Sequence, residues 1–438
     1  MKILLVKPRW SQQGGHEQIR YAQAVKFPAL GLGLLAALSD GHEVTIADGG
    51  WEPIPFDRQF DLVGITVTTF ASQEVYAIAD RFRAQGVRVV LGGVHACIMT
   101  EECLEHADAV VVGEAEYTWP ALLRDAEAGK LQEVYRAEKA TEMRHVPPVR
   151  RDLLGESSWF TAVEATRGCP NGCHYCYLPH VPWHEHRTRP VELVAEEIRQ
   201  LRQKAFIFVD ENIFADRAYA LELLRAIAPC RKFFLAQAPT NIAGDTELLD
   251  ALQAAGCFNL QIGFQSFNRE VLDEAKVHQN QVARYRSFVE ELHARRIVVS
   301  GFFIFGFDRD GPDVFRHTVE AIKELGIDDA NLFALTPFPG TRLHDKLAAE
   351  GRLLPDRQRR HFAWSHAVFQ PSQMSPEELE DGIQWAYDQL YPHFRGKLLR
   401  VLWSQLPRLL KNPRFGWGII SGNSRRTRVA QRIGAPGI

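Results

Sequence analysis

The stretch Cys169-Pro-Asn-Gly-Cys173-His-Tyr-Cys176 decides how this chain is read. Three cysteines fall within eight residues, spaced C-x3-C-x2-C. The run from Phe160 to Thr166 before them is apolar and β-prone, which predicts a strand. The cysteines then lie on the loop at the C-terminal end of that strand, where α/β folds carry their chemistry. Gly168, Pro170 and Gly172 let the backbone wrap tightly and bring the three thiolates round one point. A structural zinc ion wants four ligands, and His174 or His180 could supply the fourth. A [4Fe–4S] cluster takes four cysteines, so three leave one iron open to a small molecule. Disulfides are disfavoured by the odd number, the close spacing and the lack of a secretory signal.

The spacing, with an aromatic residue before the last cysteine, resembles the radical SAM signature. That resemblance implies a [4Fe–4S] cluster on Cys169, Cys173 and Cys176. It implies S-adenosylmethionine chelated to the open iron and split there to a 5′-deoxyadenosyl radical.

Composition sets the frame. A length of 438 residues suggests two or three domains. Hydrophobic content of 46% with 24% charged residues suits a globular protein. A net charge of -3 argues against a general nucleic-acid binder. The distribution is uneven: from Arg395 to Ile438 there are ten Lys or Arg and no Asp or Glu, leaving -13 on the rest. Seven cysteines, three of them clustered, suit a reducing cytoplasm and a metal site. No stretch has the roughly 18 consecutive apolar residues of a membrane span.

Residues 1–140 alternate strand and helix, which predicts a doubly wound parallel sheet. Strands are expected at Lys2–Val6, His42–Ala47, Leu62–Val67, Val87–Leu91 and Ala109–Val112, with helices at Phe27–Leu38, Ser72–Gln85 and Pro120–Ala128. Such a sheet binds its ligand at the C-terminal strand ends. Those ends are rich in Gly and small polar residues: Thr66–Thr69, Gly92–His95 and Gly113–Glu116. No G-x-G-x-x-G follows the first strand, so a dinucleotide fold is not supported. Pro28-Ala-Leu-Gly-Leu-Gly33, Gly41-His-Glu-Val44, Gly92-Gly-Val-His95 and Val112-Gly-Glu-Ala-Glu116 resemble the cobalamin-binding domain that precedes many radical SAM domains. The resemblance implies cobalamin contacts at Thr66, Gly92, Gly93, His95, Gly113 and Glu114, with the nucleotide tail threaded beside the sheet. The D-x-H-x-x-G motif that gives cobalt a histidine in cobalamin mutases is absent, and Lys7-Pro-Arg-Trp10 stands there instead. His16 and His95 are the remaining candidates for a lower ligand, against a plain reading as loop histidines. Cys97 and Cys103 are too few for the second cluster of methylthiotransferases, and Cys103 reads as a buried helix residue.

Residues 141–158, with Pro147-Pro148, read as a linker. From 159 to about 350 six strand–helix repeats follow, with strands ending near Thr166, Val209, Ala236, Gly263, Phe305 and Leu335. The expectation is a partial (β/α)6 barrel with its site at the C-terminal rim. Position and resemblance together assign cofactor contacts to Asp210, Asn212, Gln237, Gln265, Ser266 and Gly306. Asp210 and Asn212 suit the methionyl ammonium, Gln237, Gln265 and Ser266 the ribose or carboxylate, and Gly306 an approach of backbone to adenine. Relatives carry a glutamate in the Gly-x-Glu-Ser run where this chain has Gly263-Phe-Gln-Ser266. His174, His180, His184 and His186 follow the cysteines without a metal-ligand spacing and read as a mixed-polarity loop near substrate.

Residues 351–438 predict a helical region. Ser375-Pro-Glu-Glu378 opens a helix to Gln389 or Tyr391, and Lys397–Leu406 reads as a second helix before Pro407. Met374–Tyr387 resembles the C-terminal extension of one group of cobalamin-dependent radical SAM enzymes, which includes hopanoid methylases and bacteriochlorophyll side-chain methylases. The basic tail suits either an anionic membrane surface or a lid packed on the barrel. The resemblance implies methylation of an unactivated carbon of a tetrapyrrole, lipid or natural product, fed by an electron donor such as flavodoxin or ferredoxin. Alternatives are a cyclase or rearrangement enzyme with the same cofactors, or a non-catalytic cobalamin and cluster binder.

Overall fold

The computed structural model describes residues 1–9, 28–155, 160–364 and 366–391. Strands β1 (Lys2–Lys7), β2 (Glu43–Asp48), β3 (Leu62–Thr66), β4 (Arg88–Gly92), β5 (Ala109–Val112) and β6 (Val134–Arg136) form one parallel sheet in the order β2-β1-β3-β4-β5-β6. Ile3 to Val6 of β1 are fully buried, as a strand covered on both faces requires. One face packs on the helices Leu30–Ala37 and Thr118–Glu127 through Leu32, Ala36, Trp119 and Leu122. The other packs on Ser72–Ala84 and Thr100–His106 through Val75, Phe82 and Cys103. Cys103 is completely buried in its helix, as its apolar setting predicts. The strand order reverses between β1 and β3, and that switch point opens a crevice at their C-terminal ends.

The second sheet comprises β7 (Phe160–Val163), β10 (Ala205–Phe208), β11 (Phe233–Ala238), β12 (Cys257–Gln265), β13 (Val298–Phe305) and β14 (Asp329–Ala334), all parallel and in sequence order. Between β7 and β10 a short antiparallel pair, β8 (Thr166–Arg167) and β9 (Arg187–Thr188), closes the base of the cysteine loop. Sequential parallel strands with helices outside give the expected six-strand partial barrel. Side chains cap several of its helices. Asp216 accepts from the Tyr219 N–H, and Asp245 from the Leu248 N–H. Ser375 and Glu378 form a capping box on Pro376–Leu390. Tyr387 in that last helix and Tyr391 just after it bond the backbone of β14: their hydroxyls accept from the Leu332 and Ala330 N–H groups, and Tyr387 donates to the Leu332 carbonyl. Leu30, from the first sheet's flanking helix, packs against Phe160, Ala162 and Ile207 inside the barrel opening, so the two sheets share contacts.

Two sequence expectations change. The first sheet has six strands, not five. β6 is three residues long and carries no readable alternation; its place comes from pairing with β5. The helix expected over Val282–Arg295 opens with a 3-10 turn, and its α-helical part is Tyr285–Ala294. The helix at Lys397–Leu406, the basic tail and His16 lie outside the described residues. Among the described residues no helix is long and apolar enough to cross a membrane.

Candidate functional site

The cysteine loop leaves β8 at Gly168, whose φ of 84° suits glycine. A Cβ there would run into the carbonyls of His184 and Glu185. The Cys169 N–H bonds the His184 carbonyl (3.1 Å), so the loop is tied back on itself. The His174 N–H bonds the Ala275 carbonyl (3.1 Å), and the His174 carbonyl accepts from Leu343 (3.2 Å). Neighbouring rim loops thus fix the cysteines in place. Two amides reach the sulfurs: Asn212 Nδ2 lies 3.8 Å from Cys169 Sγ, and Gln279 Nε2 lies 3.7 Å from Cys173 Sγ. Among the described residues no three His, Cys, Asp or Glu side chains are arranged to hold a single metal ion. A four-iron cluster takes one thiolate per iron, and its donors stand further apart than those of one zinc ion. Burial pushes the Cys176 thiol up to about 12, so its thiolate needs a positive partner.

The strand ends place the other candidates unequally. Asp210 is fully buried after β10 and accepts from the backbone of Ala165 (3.0 Å), from the Thr166 N–H and from Thr166 Oγ1 (2.7 Å). Burial outweighs these bonds and pushes its carboxyl up to about 7. Its second oxygen, Oδ2, and Asn212 Oδ1 are buried without a hydrogen-bond partner. Two orphaned acceptors, one of them on the amide that reaches Cys169, suit an ammonium donor. Gln237 is exposed near the end of β11. Gln265 has a φ of 64° at a ladder irregularity between β12 and β13, and a bulge of this kind re-aims its side chain. Ser266 is buried, and its Oγ accepts from the Asn268 N–H (3.0 Å) to close a turn. Gly306 follows β13 with a φ of 104°. A Cβ there would meet Leu379 Cδ2 at 2.9 Å, so it is small to admit the C-terminal helix.

The first sheet's crevice is a cavity of about 590 Å³. Its inner walls are Leu32, Leu35, Ile65, Val90, Val111 and Trp119, so it runs down between sheet and helices. Its mouth carries Thr66, Gly92, Gly93, Gly113 and Glu114 from the strand ends. A Cβ on Gly64 would meet Leu5 at 3.0 Å and Trp119 at 3.2 Å, which leaves the slot its depth. His95 is not part of it. Its ring is fully buried, with Nδ1 on Thr69 Oγ1 (3.2 Å) and Nε2 on Tyr76 Oη (3.1 Å). Burial holds it neutral, well below the usual histidine range. Its candidacy as a cobalt ligand or cavity contact is therefore corrected: it ties the loop after β3 to the loop after β4. Glu102 completes this network, taking the Tyr76 hydroxyl (2.9 Å) and Arg359 of the C-terminal region (3.0 Å).

Cavity and cysteine loop meet at a charged seam that sequence reading missed. Arg187 bonds Glu114 (3.0 Å through Nη1) and the Thr141 carbonyl (3.0 Å). Arg167 pairs with Glu114 (3.3 Å), Glu116 (2.6 Å) and Glu164 (3.0 Å). Burial alone would lower the Arg167 pKa, but Glu164 and Glu116 overcome it and raise it. Burial likewise pushes Glu114 up, and the two arginines hold it lower. Pro182 and Trp183 of the loop stand over Gly113, each 3.6 Å from where its Cβ would lie.

Comparisons with known proteins agree with this geometry. Residues 163–322 match the radical SAM superfamily and residues 25–123 the B12 binding domain. The chain is 31% identical to the bacteriochlorophyllide d C-12(1)-methyltransferase of Chlorobaculum tepidum, over 92% of this chain and 91% of that one. The chain belongs to the cobalamin-dependent radical SAM methyltransferases. The bacteriochlorophyllide d C-8(2)-methyltransferase of the same organism is 27% identical, over 87% of this chain and 89% of that one. The fold matches the radical SAM methyltransferase TsrM from Kitasatospora setae with a TM-score of 0.68 at 16% identity, covering 89% of this chain and 88% of that one. The cofactors of this radical SAM enzyme are a [4Fe–4S] cluster, S-adenosylmethionine and cobalamin. The residues fit them: three thiols on one loop, two orphaned buried acceptors after β10, and a deep slot kept open by Gly64.

Proposed function

We propose that the chain methylates an unactivated carbon of a small molecule held between the barrel rim and the mouth of the first sheet's cavity. The convergence of Arg167 and Arg187 on Glu114 carries this reading, because it puts the cysteine loop and the cavity mouth on one wall. When bound, the cluster and S-adenosylmethionine supply a radical that takes hydrogen from carbon, and cobalamin supplies the methyl group. The chain's own residues do the rest. Cys169, Cys173 and Cys176 hold the cluster, and Asn212 and Gln279 direct N–H groups at two of the sulfurs. Asp210 Oδ2 and Asn212 Oδ1 receive the methionyl ammonium, while Gln237, Gln265 and Ser266 sit on the same rim for ribose or carboxylate. Thr66, Gly92, Gly93, Gly113 and Glu114 frame the cobalamin mouth. The half-buried loop around Trp183 shields the reacting space from water, which a carbon radical requires.

The same reading places the enzyme in the cytoplasm, with electrons from a donor such as flavodoxin or ferredoxin. The basic tail is assigned to a membrane surface, where an apolar substrate would be delivered. The test is anaerobic purification with hydroxocobalamin, followed by iron, sulfide and cobalt analysis and substrate trials read by mass. Cobalt near one per chain and a product heavier by one methyl group support the proposal. Deoxyadenosine release with rearranged but unmethylated product would replace it by a cyclase reading.

A further inference from the structure

Of the two amides that reach the cysteine sulfurs, Asn212 has a second task at the ammonium site and Gln279 has none. Gln279 comes from a distant loop, between the helices Arg269–Glu274 and Tyr285–Ala294. Its Nε2 lies 3.7 Å from Cys173 Sγ, across 106 positions of sequence. An amide oxygen would be repelled by a thiolate, so the N–H side is the one that faces it.

The loop leaves this amide little freedom. Before it, the Ala275 carbonyl accepts from the His174 N–H at 3.1 Å, and Lys276 turns the chain with a left-handed φ of 56°. After it, Asn280 is fully buried and donates through Nδ2 to the Gly263 and Phe264 carbonyls at 2.7 and 2.8 Å. Arg269 Nη1 donates to the Asn280 carbonyl at 3.0 Å, and Thr240 Oγ1 stands 3.3 Å from the Gln279 carbonyl. Gln279 is therefore placed by the cysteine loop on one side and by the end of β12 on the other.

The setting gives its dipole weight. Cys173 is buried among Val271, Leu272, Ala275, Val277 and Phe307. In such surroundings an N–H aimed at sulfur is weakly screened. Burial raises the Cys173 thiol pKa, and the bond from Gln279 is the first influence working against it. Gln279 thus favours negative charge on this sulfur. Reducing a cluster by one electron adds negative charge to its sulfurs, so a fixed N–H donor favours the reduced state.

We infer that Gln279 is a positioning residue that acts through Cys173: its amide raises the reduction potential of the cluster and so lets a low-potential one-electron donor charge it. The inference rests on Cys173 as a cluster ligand and not on which carbon is methylated.

The full chain is reconstituted with iron, sulfide and cobalamin, unsubstituted and as Q279L and Q279H. Without substrate, the reduced fraction of the cluster is read by electron paramagnetic resonance at a series of fixed potentials, with iron and cobalt measured on each sample. Q279L should lower the ratio of reduced to oxidised cluster about fivefold at a given potential, the share of one modest hydrogen bond. Q279H, which keeps a ring N–H, should recover most of it, with iron and cobalt at the unsubstituted level. Deoxyadenosine release from Q279L should slow at that potential and recover at a more reducing one. An unchanged ratio in Q279L overturns the inference, as does loss of iron from both variants, which would make Gln279 a structural prop. An equal fall in Q279H overturns it too, because the N–H would not be the cause. If the ratio shifts as expected but no substrate gains a methyl group, the inference stands and the methyltransferase reading fails.

Discussion

The two halves of the site hold their ligands by opposite means. The first sheet offers shape: an apolar slot whose depth depends on the missing side chain of Gly64. The barrel rim offers donors and acceptors: thiols, amides and carboxylates, several of them held by hydrogen bonds. A slot is sensitive first to volume, whereas a polar constellation is sensitive to one atom. The halves should therefore fail separately, and substitutions can be chosen to show it.

The largest effect is expected from C173A. It removes one of the three proposed cluster ligands and should abolish deoxyadenosine release while cobalt per chain is retained; parallel loss of cobalt would mean the halves are not separable. G64V should do the reverse. Its methyl groups must displace Leu5 or Trp119, and overpacking of about 1–3 kcal/mol, if expressed in the slot, should lower cobalamin affinity about fivefold or more with iron content intact. Cobalt analysis after gel filtration decides it.

A smaller effect concerns pH. Asp310 is buried, and its Oδ2 accepts from the backbone N–H groups of Gly306 and Phe307 at 2.9 and 3.0 Å. Burial pushes its carboxyl up to about 7 from 3.8. The folded chain then binds a proton that the unfolded chain releases, so this group's contribution to stability is present below pH 4 and lost as pH rises toward 7. D310N should remove that share of the slope, on the order of a few kcal/mol across the window. Urea unfolding at pH 5 and pH 7.5 measures it, and an unchanged slope would place the ionised form in the fold. The smallest effect belongs to E102Q. Glu102 and Arg359 are each about a quarter exposed, so the pair should contribute about 1 kcal/mol or less. A melting-point shift of more than several degrees would show that Glu102 does more than hold Arg359.

The polar half was easier to read in the sequence than the apolar half. Three cysteines in eight residues after a β-prone run announce themselves, and so do strands ending in Gly and small polar residues. Asp245 and Ser375 mark their helices because capping is local. The slot was legible only as a row of strand ends; its depth comes from Gly64 and Trp119, 55 positions apart in sequence and joined by tertiary packing. Gln279 carried no local pattern, and the seam of Arg167, Arg187 and Glu114 exists only once both domains have folded. His95 misled for the same reason. A histidine after Gly-Gly at a strand end looks exposed, and only Tyr76, Thr69 and Glu102 show it to be enclosed.

The bond between Glu102 and Arg359 joins residues 257 positions apart. During synthesis at about 5–20 residues per second, the first sheet can fold on the order of 10–50 seconds before its last wall leaves the ribosome. For that interval the slot stands open on the side that Trp364 later closes. The part of the wall that Trp364 contributes is thus the last piece of the slot to be made.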